Sequence, residues 1–362
     1  MKHYDVAIIG AGMAGASLAA EIARHASVVV LEAEDRPGYH ATGRSAAFWS
    51  ETYGGVGVQP LTSASGPILA EGGFLSPLGS LHIGRAADRP TIDAFLAEFE
   101  NSNITLAEVD PAAQVPGLRS EWTLGVSEPS CSYIDVAGLH AACLGAARRA
   151  GVEVLCKAAL VNATRDAAGW LLDTAAGPVR AGIVVNAAGA WADRIAKMAG
   201  VRPLGIAAYR RTMTQIRTEP LAPEGLPLVA DIGGKFYFKP EPGGRLWLSP
   251  HDESPTEPCD AAAEEIDVAL AIERFEGVVD WRVAAVEHKW AGLRSFAPDR
   301  LPVYGFDPRE PGFFWCVGQG GFGIQTAPAG AMLGAALLLG HTPDAAVRSI
   351  DAMIYAPGRF DA

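Results

Sequence analysis

The chain has 362 residues, 49% of them hydrophobic and 19% charged. That is apolar enough to fill a core and long enough for roughly two domains, which excludes disorder as the main state. Its net charge of −12 repels phosphate backbones and anionic headgroups, and so argues against nucleic acid or a strongly anionic membrane as main partner.

In chain order, Tyr4 to Ile9 (YDVAII) reads as a buried strand. Its early start leaves no room before it for a secretory apolar segment. Gly10-Ala-Gly12-Met13-Ala14-Gly15 follows, then a small-residue helix from Met13 to His25 and a second buried strand, Val28 to Glu32. This β-α-β unit requires a parallel sheet. Residues 35–80 are rich in Gly, Ser and Pro and read as short helices and loops. Helical spacing returns at Thr91–Glu100 and Asp135–Ala150, and Val152–Cys156 reads as a strand. Trp170–Thr174 and Val179–Val185 form a hairpin. Between 205 and 290 the pattern becomes antiparallel, with Arg211–Arg217, Phe236–Lys239 and Arg245–Ser249 alternating in polarity. Phe313–Val317 is a further buried strand, followed by a glycine-rich turn and an apolar helix from Ile324 to Gly340.

The longest apolar run, Ala327 to Gly340, is shorter than the ~18–20 residues of a membrane span. The five cysteines, Cys131, Cys143, Cys156, Cys259 and Cys316, are odd in number and nowhere spaced C-x-x-C. They fit a reducing compartment and offer no metal or dithiol motif. The expectation is a cytoplasmic protein without an integral membrane segment, peripheral attachment at the inner membrane face being left open. The fold class is α/β. A discontinuous Rossmann-like domain is expected over 1–75, 135–205 and 290–362, with an α+β substrate domain on an antiparallel sheet inserted at 76–134 and 206–289.

A lone G-x-G-x-x-G is weak evidence, but here it lies between a strand and a helix, and Glu32 ends the next strand. Gly10 permits the tight turn, Gly12 lets backbone approach a pyrophosphate, and Gly15 lets helix and sheet close up. The helix start offers free N–H groups to phosphates. Glu32 suits ribose hydroxyls and would repel a 2′-phosphate.

Three more segments carry a resemblance: Arg36-Pro-Gly-Tyr-His-Ala-Thr42-Gly43-Arg44-Ser45-Ala46-Ala47, Asn186-Ala-Ala188-Gly189-Ala-Trp191, and Gly318-Gln-Gly320-Gly321-Phe-Gly323-Ile324-Gln325-Thr326. With the first motif they make nearly the whole chain similar to the D-amino-acid oxidase/dehydrogenase superfamily of FAD enzymes, the D-arginine dehydrogenases being the nearest group. The resemblance implies a glutathione-reductase-type FAD domain holding noncovalent FAD. The carried-over contacts are Gly10, Gly12, Met13, Ala14, Gly15, Glu32 and Ala33; then Thr42, Gly43, Arg44, Ser45 and Ala46; then Leu160 at the adenine; then Ala188, Gly189 and Trp191; and finally Gly320, Gly321, Gly323, Ile324 and Gln325 at the flavin.

Arg211 and Arg294 sit in apolar surroundings, Tyr-Arg-Arg-Thr-Met and Gly-Leu-Arg-Ser-Phe, where a guanidinium usually has an anionic partner. The resemblance makes them a clamp on a substrate carboxylate. Arg210, adjacent on the strand, points the other way and is structural. By the same resemblance Tyr237 bonds the carboxylate, and Tyr53 caps the substrate from a flexible loop with Gly54-Gly55 as the hinge of a mobile lid. Gln325 and the Gly321 carbonyl lie near the amino group. Two positions depart from the D-arginine dehydrogenases: Phe48 replaces a histidine, and Ser80 replaces the acidic residue that pairs with a basic side chain. The expected reaction is oxidative deamination of an amino acid of D configuration with a neutral or apolar side chain, by hydride transfer from Cα to flavin N5. The alternatives are oxidation of secondary or N-methyl amino acids, in the manner of glycine or sarcosine oxidases, oxidation of a 2-hydroxy acid, and an FAD-binding protein without turnover. The electron acceptor is a quinone-like molecule or O2.

Overall fold

The computed structural model describes residues 2–361. Alternation along the first two strands builds two cores from one sheet. In His3–Ile9 and Val28–Leu31, Val6, Ile8, Val28 and Val30 pack with Leu18, Ile22 and Leu333 of covering helices. Ala7, Ile9, Val29 and Leu31 turn to the other face and pack with Trp170, Leu172, Phe313 and Trp315. A parallel sheet needs both faces covered. The parallel order is Glu153–Leu155, Val28–Leu31, His3–Ile9, Gly177–Asn186, Phe313–Val317, and Val303–Phe306 joins antiparallel at the edge. The chain therefore visits this sheet at its start, middle and end. The helices Met13–Ile22, Val136–Arg149 and Ala327–Leu339 are neighbours, the first touching both others.

The second sheet has nine strands. Its longest members, Ala207–Glu219 and Arg282–Phe296, run antiparallel along their whole length. The latter is uninterrupted, so a boundary at 289/290 falls inside a strand. Alternation again divides the faces. Phe238, Leu246, Leu248 and Ile216 pack under Phe275 of the helix Glu265–Glu276, while Met213 and Tyr237 turn to the opposite face beside Phe48, Ala46 and Cys131. That second face looks onto the dinucleotide-type sheet and forms one wall of the cavity described below.

Two expectations need correction. Helix Gln59–Glu71 lies in the stretch read as short helices and loops. Gly66 and Pro67 masked it: proline lacks the N–H that a helix interior needs, and a Cβ at Gly66 would stand 2.6 Å from the Trp49 ring. The last long helix begins at Ala327 rather than Ile324, because residues 320–326 form successive turns before Thr326 caps it. Among the described residues no helix is long and apolar enough to cross a membrane.

Gly15 is the tightest point between helix and turn, since a Cβ there would lie 2.0 Å from the Gly10 carbonyl oxygen. Gly15→Ala is expected to destabilise the fold by about 1–3 kcal/mol, the usual cost of overpacking, seen as a lower urea midpoint. An unchanged midpoint would show that this approach is not close in solution.

Candidate active site

The strand His3–Ile9 runs into Gly10, whose φ of 105° is open to glycine and whose Cβ position lies 2.6 Å from the Ala187 carbonyl oxygen. The Met13 N–H donates to Thr42 Oγ1 at 2.9 Å. The Glu32 carboxylate accepts from the Ala11 N–H at 2.9 Å and the Glu34 N–H at 3.0 Å, so it fastens the turn as well as facing the cavity. His140, from the helix behind, has Nε2 2.9 Å from the Ala11 carbonyl oxygen. Burial lowers its pKa, which favours the neutral ring donating that bond. Sequence reasoning missed His140, a lone histidine on a helix of small residues with no motif around it.

A cavity of about 410 Å³ runs from this turn to the second sheet. Of the residues expected at a cofactor, Gly10, Gly12, Met13, Ala14, Glu32, Ala33, Thr42, Arg44, Ser45, Ala46, Leu160, Ala188, Gly189, Trp191, Gly320, Gly321, Gly323 and Ile324 line it. Three do not. Gly15 is spent on helix–turn packing. Gly43 closes a turn, its N–H donating to the Gly38 carbonyl at 2.7 Å. The Gln325 side chain is committed elsewhere, as described below. Arg44 lines the cavity, but its guanidinium pairs with Asp260 and donates to the Ala261 carbonyl at 2.6 Å, which leaves it less free for a pyrophosphate than the sequence suggested.

The donor set fits a dinucleotide carrying an electron-accepting ring. The first N–H groups of the helix Met13–Ile22 have no intrahelical partner and stand beside the cavity. The N–H groups of Gly321, Gly323 and Ile324 make no backbone bond among the described residues. His40, also in the lining, has Nδ1 buried without a partner.

At the second sheet, Arg211, Arg294, Tyr53, Tyr237, Phe48, Met213 and Gly321 come together in the lining. Arg211 is 4% exposed. Its Nε donates to the Asp252 carbonyl at 2.7 Å and its Nη2 to Glu253 at 3.3 Å, while Nη1 is buried with no partner. Arg294 has no ion pair among the described residues; its guanidinium carbon is 5.8 Å from the Tyr53 ring centre. A Cβ at Gly321 would lie 2.6 Å from the Tyr53 hydroxyl and 3.0 Å from Arg294 Nη1, so a side chain there would displace the ends of both. The Phe48 ring is 5.2 Å from Tyr53 and 5.9 Å from Tyr237. The Tyr237 hydroxyl is 3.1 Å from Met213 Sδ, and burial raises its pKa against the pull of the two arginines. Arg210 points away and pairs with Glu264 and Asp267.

Two residues expected here stand elsewhere. Ser80 is 2% exposed, lies outside the lining, and has its Oγ buried without a bond. Its strand, Ser80–Arg85, belongs to the same sheet but stands two strands away from that of Tyr237. Gln325 donates from Nε2 to the Tyr53 carbonyl at 3.0 Å and to Thr62 Oγ1 at 2.9 Å, its Oε1 accepts from the Ser50 N–H at 3.3 Å, and the residue lies outside the lining. The Glu51 side chain also turns away, accepting from Ser63 and Ser130. The carboxylates in the lining, Glu32 and Glu34, stand near the glycine turn, not near the arginines.

The chain belongs to the DAO family of FAD-dependent oxidoreductases, whose model matches residues 5–337. FAD is the cofactor that the cavity's donors fit. The chain is 26% identical to the mitochondrial dimethylglycine dehydrogenase of Rattus norvegicus over 94% of its own length, though it spans only 43% of that protein. It is 26% identical to the glycine oxidase of Geobacillus kaustophilus over 93% of this chain and 94% of that one. In fold it is similar to the crystal structures of that glycine oxidase (TM-score 0.81, 23% identity, covering 97% and 99% of the two chains) and of L-proline dehydrogenase from P. horikoshii (TM-score 0.86, 21% identity, 99% and 98%).

Burial, with the nearby Arg294 cation, lowers the pKa of Arg211 to about 10. A carboxylate that needs this cation should bind fully below that pH and progressively more weakly as pH rises through it. Titration of holoenzyme flavin absorbance with benzoate from pH 8 to 11 (about two units below to one above) would check this. A flat profile would show that Arg211 keeps its charge across this range.

Proposed function

We propose that the protein oxidises the C–N bond of an amino acid with a neutral or apolar side chain. The observation that carries this reading is the arginine pair. Arg211 is buried with an unbonded Nη1, Arg294 has no ion pair among the described residues, and both line one end of a cavity whose other walls there are aromatic and thioether. A planar guanidinium fork matches a carboxylate bidentately, and two forks would fix the direction of the neighbouring C–H bond. Tyr237 and Tyr53 add hydroxyls at the same end.

Phe48, Met213 and the two tyrosine rings leave an apolar space for the side chain. A guanidinium or ammonium placed there would meet two cations and no carboxylate, a costly desolvation. Bound FAD would supply the two-electron acceptor, the substrate leaving as an imine that water hydrolyses to a 2-oxo acid and ammonia. No lining side chain at this end is a lysine, histidine or carboxylate, so the chain's own part is to bind, orient and exclude water, and the amine gives up its proton to solvent.

A second reading, a secondary or N-methyl amino acid, is supported by two of the substrates named for the relatives, dimethylglycine and L-proline. The same arginine pair would hold its carboxylate, and no group in the lining is committed to a primary amine.

Anaerobic flavin reduction by D- and L-forms of leucine, methionine, phenylalanine, proline, arginine and lysine, with glycine, sarcosine and 2-hydroxy acids, separates these readings. Neutral or apolar amino acids are expected to reduce the flavin faster than arginine or lysine. Fastest reduction by a cationic amino acid would refute the pocket argument, and reduction by 2-hydroxy acids alone would refute the amine. Acid should release FAD into the supernatant, as expected for noncovalent binding; flavin precipitating with the protein would contradict it.

Arg294→Met is expected to leave FAD bound and to lower kcat/KM on the best substrate by at least ~100-fold, about 2.7 kcal/mol of transition-state binding. Near wild-type kinetics in this variant and in Arg211→Met would overturn the proposed pose.

A further inference from the structure

Glu128 ends the strand Trp122–Glu128 opposite Ser80 and is completely buried. It lies outside the cavity lining. A buried carboxylate is costly unless hydrogen bonds hold it. All those it accepts come from one short run of chain: the Glu51 N–H at 2.7 Å on Oε1, and the Ser50 and Thr52 hydroxyls at 2.9 and 2.6 Å on Oε2. Burial raises its pKa, and those same donors oppose the rise.

The opposite flank of this run is held as well. Gln325 accepts from the Ser50 N–H at 3.3 Å and donates to the Tyr53 carbonyl at 3.0 Å. Between the two fastenings stands Tyr53, its ring 5.2 Å from Phe48 and 5.1 Å from Phe322. Gly54 and Gly55 follow at φ 108° and 73°, but Gly54 is no loose hinge, since a Cβ there would lie 2.9 Å from Val58 Cβ and 3.0 Å from the Phe322 ring.

We propose that Glu128 is a positioning residue for the substrate end of the cavity: with Gln325 it bolts residues 50–53 so that Tyr53 is a fixed wall beside Arg294 and Gly321, not a lid that closes on the substrate. This rests on reading the arginine end as a carboxylate site. A wall set before binding spares the ligand the entropy of ordering it. Glu128 thereby cannot act as counter-charge to a cationic substrate, although it stands beside Ser80, where the sequence pointed to a missing carboxylate. Both its oxygens are turned to the bolted segment.

The test uses holoenzyme carrying Glu128→Ala, Glu128→Gln or Thr52→Val, with two readouts: hydrogen exchange of the peptide spanning 50–58, and the Kd of benzoate from flavin absorbance. In wild type that peptide should be protected. Glu128→Ala and Thr52→Val should speed its exchange by ~10-fold or more while leaving distant peptides unchanged. Glu128→Gln should restore protection, because its amide can accept from Glu51 and donate to the two hydroxyl oxygens. Benzoate Kd should rise ~10-fold in Glu128→Ala, and by less than about 2-fold when the same change is made in a Tyr53→Ala background. If Glu128→Ala does not fold, Thr52→Val and its combination with Tyr53→Ala carry both readouts.

Rapid exchange of the wild-type peptide would overturn the bolt, as would an unmoved Kd in the variants or an undiminished effect without Tyr53. Benzoate failing to bind wild type would overturn the carboxylate reading instead, and the exchange result would then decide the bolt alone.

Discussion

A guanidinium buried with one donor unbonded is the most demanding group in this molecule, and its surroundings are arranged to hold it. Removing one partner of a buried charge costs about 3–5 kcal/mol, so Arg211 needs its resident anions. The Asp252 and Glu253 carboxylates supply them, and the Asp252 carbonyl accepts from Nε. Asp252 is itself fixed by the N–H and hydroxyl of Thr212, the next residue on the strand. Glu253 also pairs with Arg300, whose guanidinium lies 3.9 Å over the Phe296 ring. This network holds Arg211 but leaves Nη1 buried without a partner in a residue that lines the cavity. Arg294 has no ion pair among the described residues, so the two cations are unequal: one partly neutralised, the other without a resident anion.

That asymmetry depends on the strand pair Ala207–Glu219 and Arg282–Phe296. Tyr209 pairs with Arg294 and Arg211 with Gly292 across it, which brings the two guanidinium groups to one face at the end nearest the dinucleotide-type sheet. The same register places Gly292 where its Cβ would touch Arg44 at 3.5 Å and Trp290 where its Nε1–H donates to the Arg44 carbonyl at 2.9 Å. The glycine-rich loop of the first sheet is thereby tied to the wall of the second. The turn at 320–326 completes the enclosure, touching Arg294 through Gly321 and the Tyr53 segment through Gln325.

Much of this was legible in the chain. The short apolar runs in YDVAII and VVVLE, and the glycines at 10, 12 and 15, mark a strand–turn–helix–strand unit from local pattern and sterics. The adjacency of Arg210 and Arg211 shows that only one of them can face the cavity. The apolar character of Phe48 was visible too, and it lines the cavity. Glu128 and His140 were not legible, because each acts on backbone far away in sequence and carries no local pattern. Ser80 and Gln325 were misplaced for the reverse reason: a matching motif fixes the backbone position but not the direction in which a short polar side chain spends its hydrogen bonds.

The sequence by itself determined the dinucleotide unit and the two-sheet class of fold, because these follow from residue periodicity and glycine sterics, and the apolar surroundings of Arg211 and Arg294 marked them as guanidinium groups in need of an anion. Tertiary structure decided which polar groups remained free. Gln325 was expected at the cavity on sequence grounds, and it is instead consumed, like Glu128, by contacts with the segment that carries Tyr53, while Glu51 turns to Ser63 and Ser130. Hydrogen-bond saturation is a property of the assembled neighbourhood: a buried donor or acceptor bonds to whichever partner packing brings within about 3 Å, and no single stretch of chain contains that information.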